Sequence, residues 1–415
     1  MSGILSFIIC LVFIIVMTAK FRIPPFVSLI SAAFLFGILE GMSSEMLIST
    51  ITGGAASIFK VLGIIVFCGV VIARILRESG HIDRIVFDLQ KWIRAPTRTG
   101  GLAGYLLAVP LMCCITTFVL VSPILSRFKA HPELIKYTLF AGAVGATLSF
   151  VLIYPTPVVV AIAESLSDRL SNPWLIDYLT IPLSLALLVV FLVFIGLTLR
   201  RKGIVQRIDL IEEPDTEHWR AWLPIGMPFL LIGIGLAVPQ LHFLSDINVA
   251  LFGALLVALL TVDSHVRYRS LHEGTKTAGL IIFDLCGAGA FGGVIAASSF
   301  PSEAFDLASG FLPAILLPFV LAALIQAAQG SRVVTAAVAS SIVATTTLVS
   351  TLDPIAIVIM ICGGAFMFSF VTDPFFWVIL RVTQADIKAV TKNYTVPLIG
   401  AGLITMLVGF VVNAL

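Results

Sequence analysis

Three ionisable side chains, Asp284, Arg332 and Asp373, lie well inside apolar stretches of the sequence. At the centre of a membrane helix such a charge costs about 2.5–3.5 kcal/mol on insertion scales, so its retention points to a function. Asp373 precedes Pro374, a residue that breaks a helix and leaves unwound backbone and a half-helix end able to hold an ion or an anion. Burial favours the neutral form of a carboxyl group, which makes Asp373 a candidate proton carrier. Its alternative role is to cap the helix that begins at Pro374. Arg332 follows Gln329-Gly330-Ser331. Its guanidinium can grip a carboxylate through two parallel hydrogen bonds, Gly330 allows close backbone approach, and a helix N-terminus there offers free N–H groups. Internal pairing with an acid, or snorkelling to the interface, is the alternative for Arg332. Asp284 precedes Gly287, Gly289, Gly292 and Gly293, small residues that let helices pack closely. Ion coupling and a structural role both remain open for it.

A set of hydroxyls accompanies these charges: Thr116, Thr117, Ser149, Tyr154, Thr156, Ser369 and Thr372. Any one of them is explained by bonding to a backbone carbonyl, as serine and threonine do in membrane helices. Converging from two turns and two broken spans, with Gln329, Gly330 and Ser331, they form a candidate pocket for a polar solute.

The elements that position these residues come in two copies. Ser149-Phe150-Val151 returns 220 residues later as Ser369-Phe370-Val371, and Thr180-Ile181-Pro182-Leu183 returns as Thr395-Val396-Pro397-Leu398. Both copies of the first motif are followed by proline within a hydrophobic span. Interrupted spans at matching places in two halves point to the binding site of a secondary transporter.

With 59% hydrophobic and 12% charged residues and a mean hydropathy of +1.10, the chain reads as an all-α polytopic membrane protein. A net charge of +2, without a basic run interleaved with aromatics, implies no nucleic-acid partner. The six cysteines lie in apolar stretches without CxxC spacing and the six histidines fall in predicted loops or span ends, so no metal centre is expected. Gly3 to Thr18 has no basic residue before it and no small-residue cleavage site, which predicts a first membrane helix rather than a removed signal.

At about 20 residues per span, helices are expected near 3–19, 24–41, 60–77, 137–163 and 176–199, then 221–240, 247–262, 278–298, 354–380 and 395–414. The stretches 99–126 and 308–349 read as re-entrant hairpins, broken at Pro110 and at Gln329-Gly330-Ser331. That layout puts all of the 25 Lys and Arg except Lys60, Arg169 and Arg332 on the cytoplasmic side. It predicts two inverted-topology repeats, 1–199 and 221–415, each of five membrane helices and one hairpin. A cytoplasmic linker, 200–220, joins them, and both termini lie outside.

The sequence resembles the gluconate:proton symporter (GntP) family of the ion-transporter superfamily. Cys286-Gly287-Ala288-Gly289-Ala290-Phe291-Gly292-Gly293-Val294 is similar to its glycine-rich GAGGAFG segment, Ala328-Gln329-Gly330-Ser331 to its AQGS element, and Asp373 with Phe376-Trp377 to its NDSGFW element. Cys114-Ile115-Thr116-Thr117 stands where the family has an aromatic-acidic pair, Tyr154-Pro155-Thr156-Pro157 lacks the family's histidine, and Arg332 replaces a small residue. The resemblance implies proton-coupled uptake of a gluconate-like sugar acid or related hydroxy acid across the inner membrane. It further implies elevator-like movement, a homo-oligomer and no cofactor. On that reading the hydroxyls serve the polyhydroxyl body of the substrate.

Carboxylate and hydroxyl oxygens suit Na+ as well as H+, and another carboxylate or an amino acid would fit the same inventory. An ion-only exchanger is the alternative in a different class. An intramembrane enzyme would need a nucleophile with its base or a metal cluster, and no Ser-His or HExxH-like arrangement is present.

Overall fold

Wherever the backbone meets lipid it must satisfy its own polar groups, and helices do so within a single segment. The computed structural model describes residues 3–21, 23–128, 130–170, 172–205, 212–303, 312–370 and 372–415, and among them the chain forms helices and loops with no strand. The first half holds α1 (Gly3–Ile15), α2 (Pro25–Leu39), α3 (Ser44–Glu78) and α4 (His81–Trp92). It continues with α5 (Pro96–Ala108), α6 (Cys114–Leu125), α7 (Pro132–Leu152), α8 (Pro157–Ser165) and α9 (Asp177–Arg201). The second half holds α10 (His218–Ala237), α11 (Ile247–Leu260), α12 (Ser264–Ala296), α13 (Leu317–Gln329) and α14 (Arg332–Ala344). α15 (Pro354–Phe366), α16 (Pro374–Thr383) and α17 (Val396–Ala414) follow, with single helical turns at Leu348–Thr351 before α15 and Ile387–Val390 before α17.

Apart from α4, the two halves share one order: two helices, a long third, a helical hairpin, a broken span and a closing helix. The packing repeats too. α5 lies on α7 as α13 lies on α15, α7 meets α9 as α15 meets α17, α6 touches α16 as α14 touches α8, and α3 and α12 pack on each other. At the α3–α12 crossing a side chain on Gly54 would run into the Gly289 backbone, and one on Gly289 into that of Gly54. The absence of side chains brings the two backbones together.

Six helical segments are long and apolar enough to cross a membrane, namely Ser44–Glu78, Pro132–Ser165, Pro173–Arg201, His218–Ala237, Ser264–Ala296 and Ile387–Ala414. A seventh arises if α11 is joined to the 3-10 turn Pro239–Ser245 across a 79° bend. The other three of the ten expected spans are shorter apolar helices: α1 and α2, with 13 and 15 residues, and the stretch 354–380, which the break divides into α15 and α16. The third helix of each half is longer than expected, 35 residues in α3 and 33 in α12. Polar residues in the early turns of α3 bond inward to their own helix, Ser49 to Met46 O, Thr52 to Ile48 O and Ser57 to Gly54 O. These bonds let the helix continue through a stretch of lower hydropathy.

The two halves are joined by the segment from Lys202 to Glu217, whose described residues, 202–205 and 212–217, are non-helical. It is tied down by Arg84 of the amphipathic α4, which bonds Glu213 at 2.9 Å and the Pro214 carbonyl at 3.1 Å while pairing with Asp88 at 3.2 Å.

Candidate functional site

Two hairpin turns and two span breaks bring four helix N-termini to one cavity. Pro157 and Pro374 occupy the first turns of α8 and α16, where a missing N–H costs no hydrogen bond. Gly330 ends α13 at a φ of 72°, and a Cβ there would collide with the Thr372 carbonyl oxygen. Glycine thus serves both the left-handed turn and the close approach of hairpin to broken span. In the first hairpin Met112 takes the left-handed conformation, φ 52°, just before α6 starts.

The cavity encloses about 240 Å³ and is lined by Cys113 and Cys114 of α6, Pro157 of α8, Ser331 and Arg332 of α14, and Asp373 and Pro374 of α16. Pro25 at the start of α2 and Asp284 of α12 also line it. It has room for a small solute with a few waters. Asp373 offsets the Arg332 charge and Asp284 adds a second carboxylate to the lining, so the positive features open to an anion are the Arg332 guanidinium and the uncapped N-termini of α8 and α14. α8 and α14 have no side-chain cap, α6 is capped by the Cys113 sulfur, and α16 by Asp373.

Arg332 is the hub. Its Nη2 lies 2.9 Å from Asp373 Oδ2, 2.8 Å from Ser369 Oγ and 2.8 Å from Tyr394 OH, so two hydrogens are shared among three oxygens. The guanidinium Nε is buried and has no partner among the described residues. Asp373 takes the capping role that its sequence context allows, Oδ1 accepting the Phe375 N–H at 2.8 Å at the start of α16, while Oδ2 pairs with Arg332. Arg332 therefore pairs internally in this state. Rings connect the pair to the first half, Phe118 of α6 against Phe375 at 5.5 Å and Phe375 against Tyr394 at 5.5 Å. The Tyr394 hydroxyl also lies 3.4 Å from Thr147 Oγ1 on α7.

Several of the expected hydroxyls are held elsewhere. Thr117 bonds the Cys113 carbonyl, Ser149 the Gly145 and Ala146 carbonyls, and Thr372 the Ala327 carbonyl. The Thr116 N–H donates to Cys113 Sγ at 3.4 Å. Thr156 is buried, its Oγ1 has no partner among the described residues, and it stands before Pro157 as Asp373 stands before Pro374. Tyr154 faces a different cavity of about 670 Å³ with Trp174 and Asp177, its ring edge-on to Trp174 and its N–H donating to Asp177 Oδ1 at 2.9 Å. The Gln329 side chain and Val371 lie outside the described residues. Asp284 reaches the cavity while its Oδ1 accepts the Phe26 N–H at 3.0 Å, holding the start of α2.

Sequence reasoning missed two members of this architecture, Tyr394 and Asp177. Each lies within three residues of the repeated Thr-x-Pro-Leu motif, Tyr394 just before Thr395 and Asp177 three before Thr180. That motif was the available signal.

The chain matches the GntP family permease profile over residues 2–210 and 230–415. It is 24% identical to the D-serine transporter DsdX of Escherichia coli (strain K12), an alignment covering 98% of each chain. It is also 24% identical to a gluconate permease of Pseudomonas aeruginosa, over 94% of this chain and 93% of the relative. In fold it is similar to the YdaH transporter of Alcanivorax borkumensis, with a TM-score of 0.61, 17% identity and 88% of each chain covered. Because the profile spans both halves and the relatives align nearly end to end, the chain belongs to the GntP family of permeases.

Proposed function

We propose that this permease carries a small organic anion, a gluconate-like sugar acid or related hydroxy acid, into the cell together with protons. As a GntP permease with several apolar spanning helices, the chain is a multi-pass membrane transporter and not an enzyme. The observation that carries the substrate class is the convergence of Arg332 and the uncapped N-termini of α8 and α14 on one small cavity. The gluconate permease of Pseudomonas aeruginosa handles a molecule of this class, one carboxylate on a hydroxylated body.

The Arg332–Asp373 pair suggests how charge is balanced. With the site empty, Asp373 neutralises Arg332. A solute carboxylate that reaches the free Nε competes with Asp373 for the guanidinium, and two carboxylates on one guanidinium leave a buried negative charge uncompensated. A proton taken up by Asp373 from the outer side removes that charge, so anion and proton travel as a neutral couple. Departure of the solute returns Asp373 to Arg332 and expels the proton inside. Asp284, the second carboxylate on the cavity, is assigned an accessory coupling role. In this reading the halves are inverted, both termini lie outside the inner membrane and the transporter is a homo-oligomer. The hairpins and broken spans shift as one elevator-like body; they pack on one another through the α6–α16, α8–α14 and α7–α15 contacts.

A second reading, transport of an amino acid, is favoured by the adjacent opposite charges of Arg332 and Asp373, a template for a zwitterion, and by the D-serine transporter among the relatives. Proteoliposomes under an inward proton gradient distinguish these readings. Labelled gluconate should accumulate more than labelled D-serine, a protonophore should abolish accumulation, and replacing Na+ with choline should leave it unchanged. Asp373→Asn should bind the anion without concentrating it; accumulation equal to the parent protein removes Asp373 from coupling. Proton flux with no solute accumulated indicates an ion-only exchanger.

A further inference from the structure

Away from the anion chamber, a groove of about 1040 Å³ runs between α5 and α9. We propose that it binds an anionic phospholipid, with an acyl chain in the groove and the phosphate on Arg98 and Arg200. The walls are aliphatic, Leu102 from α5 and Leu185, Leu192, Val193 and Leu197 from α9. The charged lining is two guanidiniums, Arg98 in the first turn of α5 and Arg200 in the last turn of α9.

Both arginines are exposed and neither has an acidic partner among the described residues. Their basic neighbour Lys202 is matched, pairing with Glu133 at 2.9 Å. From Leu185 to Arg200 the groove follows α9 for about 22 Å at 1.5 Å per residue, against about 15 Å for the hydrocarbon of one leaflet. An acyl chain therefore fits alongside the helix with its phosphate at the arginine end. Trp92, 86% exposed at the end of α4 and four residues before α5 begins, has the character of a headgroup-level anchor.

The chemistry selects among occupants. A soluble anion would meet the arginines but leave the aliphatic walls uncovered, and a zwitterionic lipid would leave two positive charges only partly compensated. An anionic lipid satisfies both ends, and guanidinium forks match phosphate oxygens.

Native mass spectrometry of the full chain in detergent tests this, with phosphatidylglycerol, phosphatidylcholine of the same chains, and sn-glycerol 3-phosphate as a chain-free probe. Phosphatidylglycerol should be retained in preference to phosphatidylcholine. Arg98→Gln/Arg200→Gln should weaken it roughly thirtyfold, and Arg98→Lys/Arg200→Lys should keep most of the binding. Val193→Trp, which fills the groove and leaves both arginines in place, should also displace it. The proposal is overturned if the two lipids bind alike, if the double glutamine variant binds as the parent does, if Val193→Trp changes nothing, or if glycerol phosphate binds as tightly as the lipid.

Discussion

Arg332 and Asp373 form a 2.9 Å ion pair whose side chains are 3% and 1% exposed, and it fastens the turn between α13 and α14 to the break between α15 and α16. A pair so deeply buried contributes little net stability, because desolvation offsets attraction, yet removing one partner strands the other. Arg332→Gln should lower unfolding stability in detergent by about 3–5 kcal/mol. The double variant Arg332→Gln/Asp373→Asn should recover most of that loss. A single variant as stable as the parent protein would show that the two charges do not depend on each other.

Gly80 and Gly330 share the left-handed conformation but differ in surroundings. Gly80, at φ 73°, has open space where a Cβ would stand, whereas Gly330 faces the Thr372 backbone. Gly80→Ala should cost about 1–2 kcal/mol, the conformational term alone. Gly330→Ala should cost clearly more and impair transport, because the hairpin can no longer close on the broken span. Equal melting shifts for the two would contradict this packing.

The α3–α12 crossing offers a similar comparison. Gly289→Ala forces a methyl into the Gly54 backbone and should destabilise by about 1–3 kcal/mol. Gly279→Ala, on the same helix but in open space, should be neutral or stabilising by roughly 0.5–1 kcal/mol through helix propensity. Thermal melting of both variants reads the difference directly.

His81, in the first turn of α4 and outside the spanning segments, is 3% exposed. Burial, and then the positive charge of Arg220, lower its pKa from 6.5 to about 4. Between those values the unfolded chain binds a proton that the folded chain refuses, so stability rises with pH in that window. The contribution of neutral His81 is complete above pH 6.5 and falls away as the pH drops toward 4, a loss on the order of 3 kcal/mol. Melting measured from pH 7.5 to 4.5 should be flatter for His81→Gln than for the parent protein; identical slopes would remove this assignment.

Much of this architecture is legible in the sequence because charge and proline inside apolar runs are expensive and therefore informative. Asp373, Arg332 and Asp284 stand out on that ground, as do the breaks at Pro157, Gly330 and Pro374. Partners are harder to read than charges. Tyr394 reaches Arg332 from a π-helical turn, Thr391–Thr395, at the mouth of α17, and in the sequence it resembles an ordinary interfacial tyrosine. Thr117, Ser149 and Thr372 could not be assigned from residue type, since a hydroxyl bound to its own backbone and one facing a solute look the same in one dimension. The lengths of α3 and α12 were hidden for a related reason. Their polar turns lower the hydropathy that marks a span, while glycine contacts such as Gly54 with Gly289 become visible only once the two helices are brought together.

Thr156 and Asp373 hold matching places in the two halves, but one is an alcohol with no partner among the described residues and the other an acid that covers its own helix end. A shell nearly symmetric in shape is thus lopsided in its electric field. For the proposed anion this gives one favoured heading, with its ionised end toward Arg332 and away from the uncharged mouth of α8. On that proposal, directionality of recognition follows from the Arg332–Asp373 pair standing at one break while an alcohol stands at the other.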